Sequence, residues 1–270
     1  SLVYTNVTEH VKIGDAPADF QRLAPSFTVS LQPWQEQLLF LRLMYKSTFR
    51  MPTFNDLYYY RLGNRSLRPE KANEYNMGIT WSRSFSSFLN YLSVTVDGYY
   101  NDVTDKIVAF PTTYAWKMAN YGKVHVTGMD ATLAAAASLG KNTVLVVSGG
   151  YTWQKAIDLT DATSKSYKDQ LPYTPKHSGN VSAVLEMPWV NVGYSIVGVS
   201  ERYSMSQNIP ENRIDGYMEH TVSLSRNFSF RHCKLRLQAE IINLTDTQYD
   251  VIKYYPMPGR SWRLTGTIEF

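Results

Sequence analysis

RSWRLTGTIEF, residues 260–270, alternates without a break. Trp262, Leu264, Gly266, Ile268 and Phe270 hold one parity, and Ser261, Arg263, Thr265, Thr267 and Glu269 hold the other. A period of two marks a strand with one apolar and one polar face. Soluble domains usually fray into polar residues at their ends, yet this chain stops in mid-strand on an aromatic residue.

The same pattern recurs upstream. In 233–241, Cys233, Leu235, Leu237, Ala239 and Ile241 oppose Lys234, Arg236, Gln238 and Glu240. Leu92, Val94 and Val96 oppose Ser93, Thr95 and Asp97; Tyr75, Met77, Ile79 and Trp81 oppose Glu74, Asn76 and Thr80. Leu39, Leu41, Leu43 and Tyr45 oppose Arg42, Lys46 and Thr48. The alanine-rich run 131–137 lies between strand patterns and reads as strand, with a bulge expected near Thr127–Gly128, where parity changes.

Strands are expected at about 21–32, 37–49, 74–81, 88–101, 121–137, 142–154, 177–186, 189–201, 216–227, 233–243 and 260–270, eleven in all. Segment 1–20 reads as a loop, or as the end of one more strand near Leu2–Thr8, because Gly14, Asp15 and Pro17 break any pattern. The gaps alternate short and long; the long ones are 50–73, 102–120, 155–176, 202–215 and 244–259. Short turns on one rim and long loops on the other describe an antiparallel outer-membrane barrel, all-β in class. Closure of such a barrel would pair the last strand with a first, leaving no edge and no need of a tail.

Composition agrees. With 20 Tyr, 11 Phe and 6 Trp the chain is rich in rings that favour the lipid headgroup layer. Trp34, Trp81 and Trp189 lie at short turns; Tyr45, Phe49, Tyr99, Tyr100, Trp153, Tyr203 and Trp262 lie near long loops. The polar parity carries Arg42, Lys46, Asp97, Arg236, Glu240 and Arg263, too many charges for a dry core. They suit a wet or plugged lumen. No apolar run reaches 18 residues, so no membrane helix is expected, but a barrel needs none.

Other classes find little support. A net charge of +4 offers no concentrated basic face for nucleic acid. The single Cys233 cannot form an internal disulfide, and no Cys/His cluster has metal spacing. His125, His177 and His220 are isolated from any Gly-x-Ser-x-Gly pattern, and Glu240 with Asp246 would straddle a strand and a loop. No catalytic residue, metal or cofactor is expected. Residue 1 opens without the features of a signal peptide, so a leader would have been removed or the chain would be part of something longer.

Two stretches carry a family resemblance. Phe49–Trp81 contains Phe49, Arg50, Pro52, Phe54, Asp56 and Leu57, then Gly63, Asn64, Leu67, Pro69 and Glu70, then Glu74 and Tyr75. Residues 242–270 contain Asn243, Leu244, Asp246, Tyr249, Pro258, Gly259, Arg260 and the terminal Phe270. Together they resemble the TonB-dependent outer-membrane transporters, in wording closest to Bacteroidota cobalamin or iron-chelate receptors. The resemblance implies a barrel of about 22 strands around a plug, of which this chain, 1–270, is the C-terminal half, with neither plug nor TonB box. It also implies that Phe270 belongs to the family's C-terminal assembly signal.

In that family a scarce ligand binds external loops and plug, and the TonB–ExbB–ExbD complex drives import using the proton-motive force. The resemblance therefore implies a bacterial outer-membrane location, with lipid and lipopolysaccharide around the wall and cobalamin or a ferric siderophore as cargo. Loop aromatics and cations are the candidate ligand contacts: Arg50, Tyr58, Tyr59, Tyr60, Arg61, Tyr114, Trp116, Arg202 and Tyr203. The motif residues are expected to shape loops, since motifs shared by a whole family do not encode one ligand. The basic group Arg61, Arg65, Arg68 and Lys71 is an alternative contact for lipopolysaccharide phosphates. A glycan importer, or a small complete barrel acting as pore or adhesin, are the other readings.

Overall fold

The computed structural model describes residues 1–8, 19–34, 38–86, 88–111 and 114–270. Twelve strands form one antiparallel sheet: β1 (Leu2–Val7), β2 (Phe20–Leu31), β3 (Leu38–Arg50), β4 (Glu70–Ser84), β5 (Leu89–Pro111), β6 (Trp116–Gly140), β7 (Thr143–Asp158), β8 (His177–Glu186), β9 (Asn191–Val199), β12 (Tyr217–Ser229), β13 (Lys234–Ile242) and β16 (Ser261–Glu269). Each pairs with the strand before it in the sheet, so the chain meanders. A helical turn, α1 (Phe54–Tyr58), and two small hairpins, β10 (Arg202–Tyr203) with β11 (Arg213–Ile214) and β14 (Asp250–Ile252) with β15 (Tyr255–Pro256), occupy the long-loop rim. Eleven of the twelve sheet strands fall where alternation predicted them.

Three expectations need correction, the 102–120 loop, the bulge and the place of Tyr99, and two open readings, the strand near Leu2–Thr8 and closure, are decided. The twelfth strand is β1, which pairs Leu2–Val7 with Phe20–Pro25; the breakers Gly14, Asp15 and Pro17 lie outside the described residues. Pro25 sits where β2 stops pairing with β3, whose partners begin at Ser26, as a residue without an N–H should. Segment 102–120 is not a long loop. β5 and β6 continue through most of it, because Val103, Ile107, Met118 and Val124 are buried under neighbouring loops and give these strands a second covered face. The ladder is also unbroken across Thr127 and Gly128 on both sides. No bulge is there; Gly128 leaves room for the Tyr99 ring, with which a Cβ would collide. Tyr99 therefore lies on the polar face rather than in the belt. Finally, β16 pairs with β13 alone among the described strands, so the sheet order has two ends and is not closed.

The two faces differ as the parity predicts. On the polar face Arg42 reaches Asp97 at 2.8 Å and Thr80 at 2.7 Å, Ser82 meets Ser93 at 2.7 Å, Thr152 donates to Asp130 at 2.6 Å and Arg263 donates to Glu240 at 2.6 Å. Among the described residues the apolar face has no second layer. Leu43 is 50% exposed, Met77 66% and Leu264 80%. A continuous apolar surface of this extent demands an apolar neighbour, and a lipid bilayer supplies one on a single side.

Rings mark the upper edge of that surface. Tyr45, Tyr75 and Tyr100 stand in one cross-strand row, with centroids 5.1 and 6.2 Å apart. Further along, each strand histidine shares a hydrogen bond with a tyrosine of the neighbouring strand: His125 with Tyr100 at 3.2 Å, His177 with Tyr151 at 2.7 Å and His220 with Tyr194 at 2.8 Å. Ring bodies in hydrocarbon and polar tips in the headgroup layer account for such a belt.

Candidate ligand-contact rim

Above the belt, loops fold over the polar face. Around α1 the segment closes on itself through a capping box: Thr53 Oγ1 accepts from Asp56 N at 3.2 Å, and Asp56 Oδ2 accepts from Thr53 N at 2.9 Å. Arg50 completes the cap by donating to the same carboxylate at 2.8 Å. Leu57 and Leu67 bury themselves with Ile107 and Met118. Asn64 donates to Met118 O at 3.1 Å and accepts from Ser66 N at 3.0 Å, while Glu70 Oε2 accepts from Ile107 N at 3.0 Å. Pro52 precedes α1 and Pro69 precedes β4, at the two bends of this segment. Phe54 packs against Tyr58 with ring centroids 5.0 Å apart and planes tilted by 41°.

This scaffold sorts the sequence candidates. Arg50 is committed to Asp56, and Tyr58 packs against the Leu57 cluster beneath the Arg65 guanidinium. Tyr59, Tyr60 and Arg61 project outward; Tyr60 is 79% exposed, and Arg61, at φ 63°, lies over its ring. Tyr114, at the β5–β6 tip, is 98% exposed. Arg68 is held by Asp105 at 2.5 Å, so three of the four arginines and lysines read as one basic group, Arg61, Arg65 and Arg68, have partners within the loops.

A second cluster joins the later loops. Trp116 faces Tyr173 at 6.0 Å, and Tyr173 N donates to Tyr203 O at 2.7 Å. Arg202 is not a surface cation. Only 4% of it is exposed, and its guanidinium donates to Asp250 O at 2.6 Å and Val251 O at 3.0 Å. It ties β10 to the β14–β15 hairpin. Asn243, 1% exposed and at φ 52°, holds Thr247 through both amide atoms and also reaches Pro258 O. At Gly259 a Cβ would sit 2.5 Å from Asp246 Oδ1, which instead accepts from Arg260 N. Glu240 and Asp246 thus serve Arg263 and the loop backbone, not a catalytic pair.

Tyr249 stacks on Tyr217 at 3.9 Å and donates to Glu219 at 2.6 Å. Burial, then the carboxylate it donates to, pushes its phenol well above the ordinary range. A raised acid pKa contributes stability below the unfolded value of about 10 and loses it only as pH rises through the folded value. In alkaline difference spectra, Tyr249→Phe should therefore remove no phenolate signal near pH 10–11. A missing signal there would show a freely titrating Tyr249.

Between the two small hairpins lies a cleft of about 340 Å³, lined in part by Arg213, Asp215, Gln248, Asp250, Lys253 and Tyr254. Lys253 Nζ donates to Glu211 O, and Arg213 pairs with Glu201 and Asp215 at 3.1 Å each. Sequence reasoning missed Tyr173, Arg213, Lys253 and Tyr254. The adjacent Lys253–Tyr254–Tyr255 triplet in a long loop was the available signal. Among the described residues no group of three or more His, Cys, Asp or Glu is placed to hold a metal.

Residues 3–244 match the model of the family described as TonB dependent receptor-like, beta-barrel. A vitamin B12 transporter BtuB of Photobacterium profundum is 26% identical over 230 residues, 82% of this chain and 34% of the relative. The chain thus spans about a third of that protein's length. Among solved structures, the ferric citrate transporter FecA, unliganded, superposes with TM-score 0.71 at 15% identity, over 92% of this chain and 38% of FecA. The copper transporter OprC gives 0.71 at 15%, over 94% and 40%.

Proposed function

The chain belongs to the TonB-dependent receptor-like β-barrel family, and from that premise we propose that it is the C-terminal part of an outer-membrane importer of a scarce, large ligand. It is an outer-membrane barrel chain, and its relatives are transporters and receptors rather than enzymes. In our reading it supplies about half the barrel wall and the later external loops, and the parent protein is driven through TonB, ExbB and ExbD. Cobalamin or a ferric siderophore is the cargo.

One observation carries this reading. The exposed apolar face and the loop-covered polar face belong to opposite sides of a single sheet, with the protruding aromatics Tyr59, Tyr60 and Tyr114 gathered on the long-loop rim. Rings there offer contact area at little entropic cost to a large ligand. The B12 transporter relatives favour a corrinoid, and the ferric citrate neighbour an iron chelate.

The test uses the full-length protein in detergent, titrated with cyanocobalamin and with ferric chelates. For the cognate ligand, Tyr60→Ala and Tyr114→Ala are each expected to weaken binding about tenfold or more, roughly 1.4 kcal/mol. Tyr58→Ala should act chiefly through the loop. Unchanged affinity in Tyr59, Tyr60, Arg61 and Tyr114 variants alike would remove these residues as contacts.

A further inference from the structure

Charge is unevenly spread along the short-turn rim. Turns 85–88, 141–142 and 187–190 carry one charged residue between them, Lys141. The β12–β13 hairpin carries Arg226, Arg231, Lys234 and Arg236. Their contacts are slight: Arg226 lies over the Phe228 ring at 4.8 Å, and Arg236 donates to Gln238 at 3.3 Å. Lys234 stands opposite Glu269 in the ladder, yet among the described residues none of the four forms an ion pair.

The same hairpin leaves a strand edge open. β9 pairs with β12 only as far as Asn191 opposite Ser225, whereas β13 pairs with it on to Ser229. In an antiparallel ladder successive residues bond to opposite sides. Phe230 N donates to Cys233 O at 2.8 Å, so the even-numbered residues of β12 bond toward β13. Asn227 and Ser229 therefore turn their N–H and C=O groups the other way, past the end of β9, where no described strand stands. Exposed rings flank the gap: Trp189, 70% exposed, on the β8–β9 turn, and Phe230, 59% exposed, on the β12–β13 turn.

We propose that this edge receives an extended acidic segment of a periplasmic partner protein, added as a strand beside residues 226–229. The short-turn rim faces the periplasm in the outer-membrane reading above. Main-chain bonds to Asn227 and Ser229 fix the register of the added strand. Its carboxylates meet Arg226 on one face. On the other they reach over the short Asn227 and Ser229 side chains to Arg236 and Lys234, which stand opposite those two residues on β13. Charge complementarity selects an acidic occupant. The open main-chain groups favour a peptide over an anionic glycan or lipid headgroup, neither of which has a ladder to offer. Edge charges commonly deter pairing, but charges of one sign deter like strands and admit opposite ones.

The experiment is fluorescence anisotropy of the full-length protein in detergent with a labelled peptide of alternating Glu and Val. Wild type should bind it about tenfold more tightly than the Lys–Val counterpart, and than the same peptide N-methylated at alternate residues. Arg231→Glu with Lys234→Glu should lower its affinity about tenfold or more. Ser229→Pro should lower it several-fold with every charge in place, since proline removes a free donor and leaves the β12–β13 ladder intact. Heat-modifiable migration reports folding of each variant, and Lys141→Glu, in another short turn, serves as control. Equal binding of the N-methylated peptide by wild type overturns the proposal even if a variant fails to fold. So does undiminished binding in folded Ser229→Pro, or displacement of the peptide by peptidoglycan fragments or phosphatidylglycerol at lower concentration than by unlabelled peptide. Cys233, in the same turn, reports orientation: a membrane-impermeant maleimide that labels intact cells, and spares Cys233→Ser, would rule out a periplasmic partner. Titration with cyanocobalamin or ferric chelates is a separate readout, and its failure would sink the import reading while leaving the open edge untouched.

Discussion

Asn243→Ala is expected to lower the stability of the folded protein in detergent by about 2–4 kcal/mol and to expose residues 244–260 to protease. The side chain is buried and makes three bonds to loop backbone: two with Thr247 and one with Pro258 O. Alanine leaves those groups without partners, at about 1 kcal/mol each and more where water cannot enter. Alanine adds a penalty, because residue 243 is left-handed at φ 52° and alanine lacks the short polar side chain that lets asparagine adopt that region. Asn243→Gly separates the two causes, since glycine tolerates the backbone and removes only the bonds. Urea unfolding should place Gly between Asn and Ala. A glycine variant as stable as the parent would mean that the amide bonds contribute nothing and that only the backbone angle matters. Arg202 depends on the same loop, since it donates to Asp250 and Val251, so ligand affinity should fall along with stability.

Gly63→Ala is the second large effect expected. A Cβ there would lie 2.7 Å from Leu57 C, Leu57 O and Tyr58 N, all backbone atoms that no rotamer change can move. The turn is tight because Gly63 N donates to Tyr59 O at 2.7 Å. Relief requires shifting α1 off Leu67, Ile107 and Met118, an overpacking cost of about 1–3 kcal/mol. Tyr59 and Tyr60 travel with α1, so the variant should reproduce much of the binding loss of Tyr60→Ala without touching a contact residue. Amide exchange across 51–69 checks this. Protection identical to the parent would show that the turn absorbs a methyl group and that the motif glycine has no steric role.

Both predictions fall on residues the sequence had marked as loop-shaping. Asn64, Glu70 and Asn243 bond loop backbone, and Gly63 and Gly259 stand where a Cβ would collide. The contact candidates divide differently. Tyr59, Tyr60, Arg61 and Tyr114 face outward, whereas Arg50 and Arg202 are consumed inside the loops. Residue type alone could not separate these cases, since an arginine in a loop serves an external anion or an internal carbonyl equally well.

By itself the amino-acid order determined the strands, their two faces and, apart from 102–120, the alternation of short and long connections. Those properties are local: a period of two is written in consecutive residues, and burying one parity in lipid requires no particular partner. The tertiary structure alone decided that β5 and β6 run on beyond the membrane and that Gly128 accommodates Tyr99 rather than a bulge. Each of these depends on which residue stands opposite across a ladder, a pairing set by contacts between positions far apart in the chain.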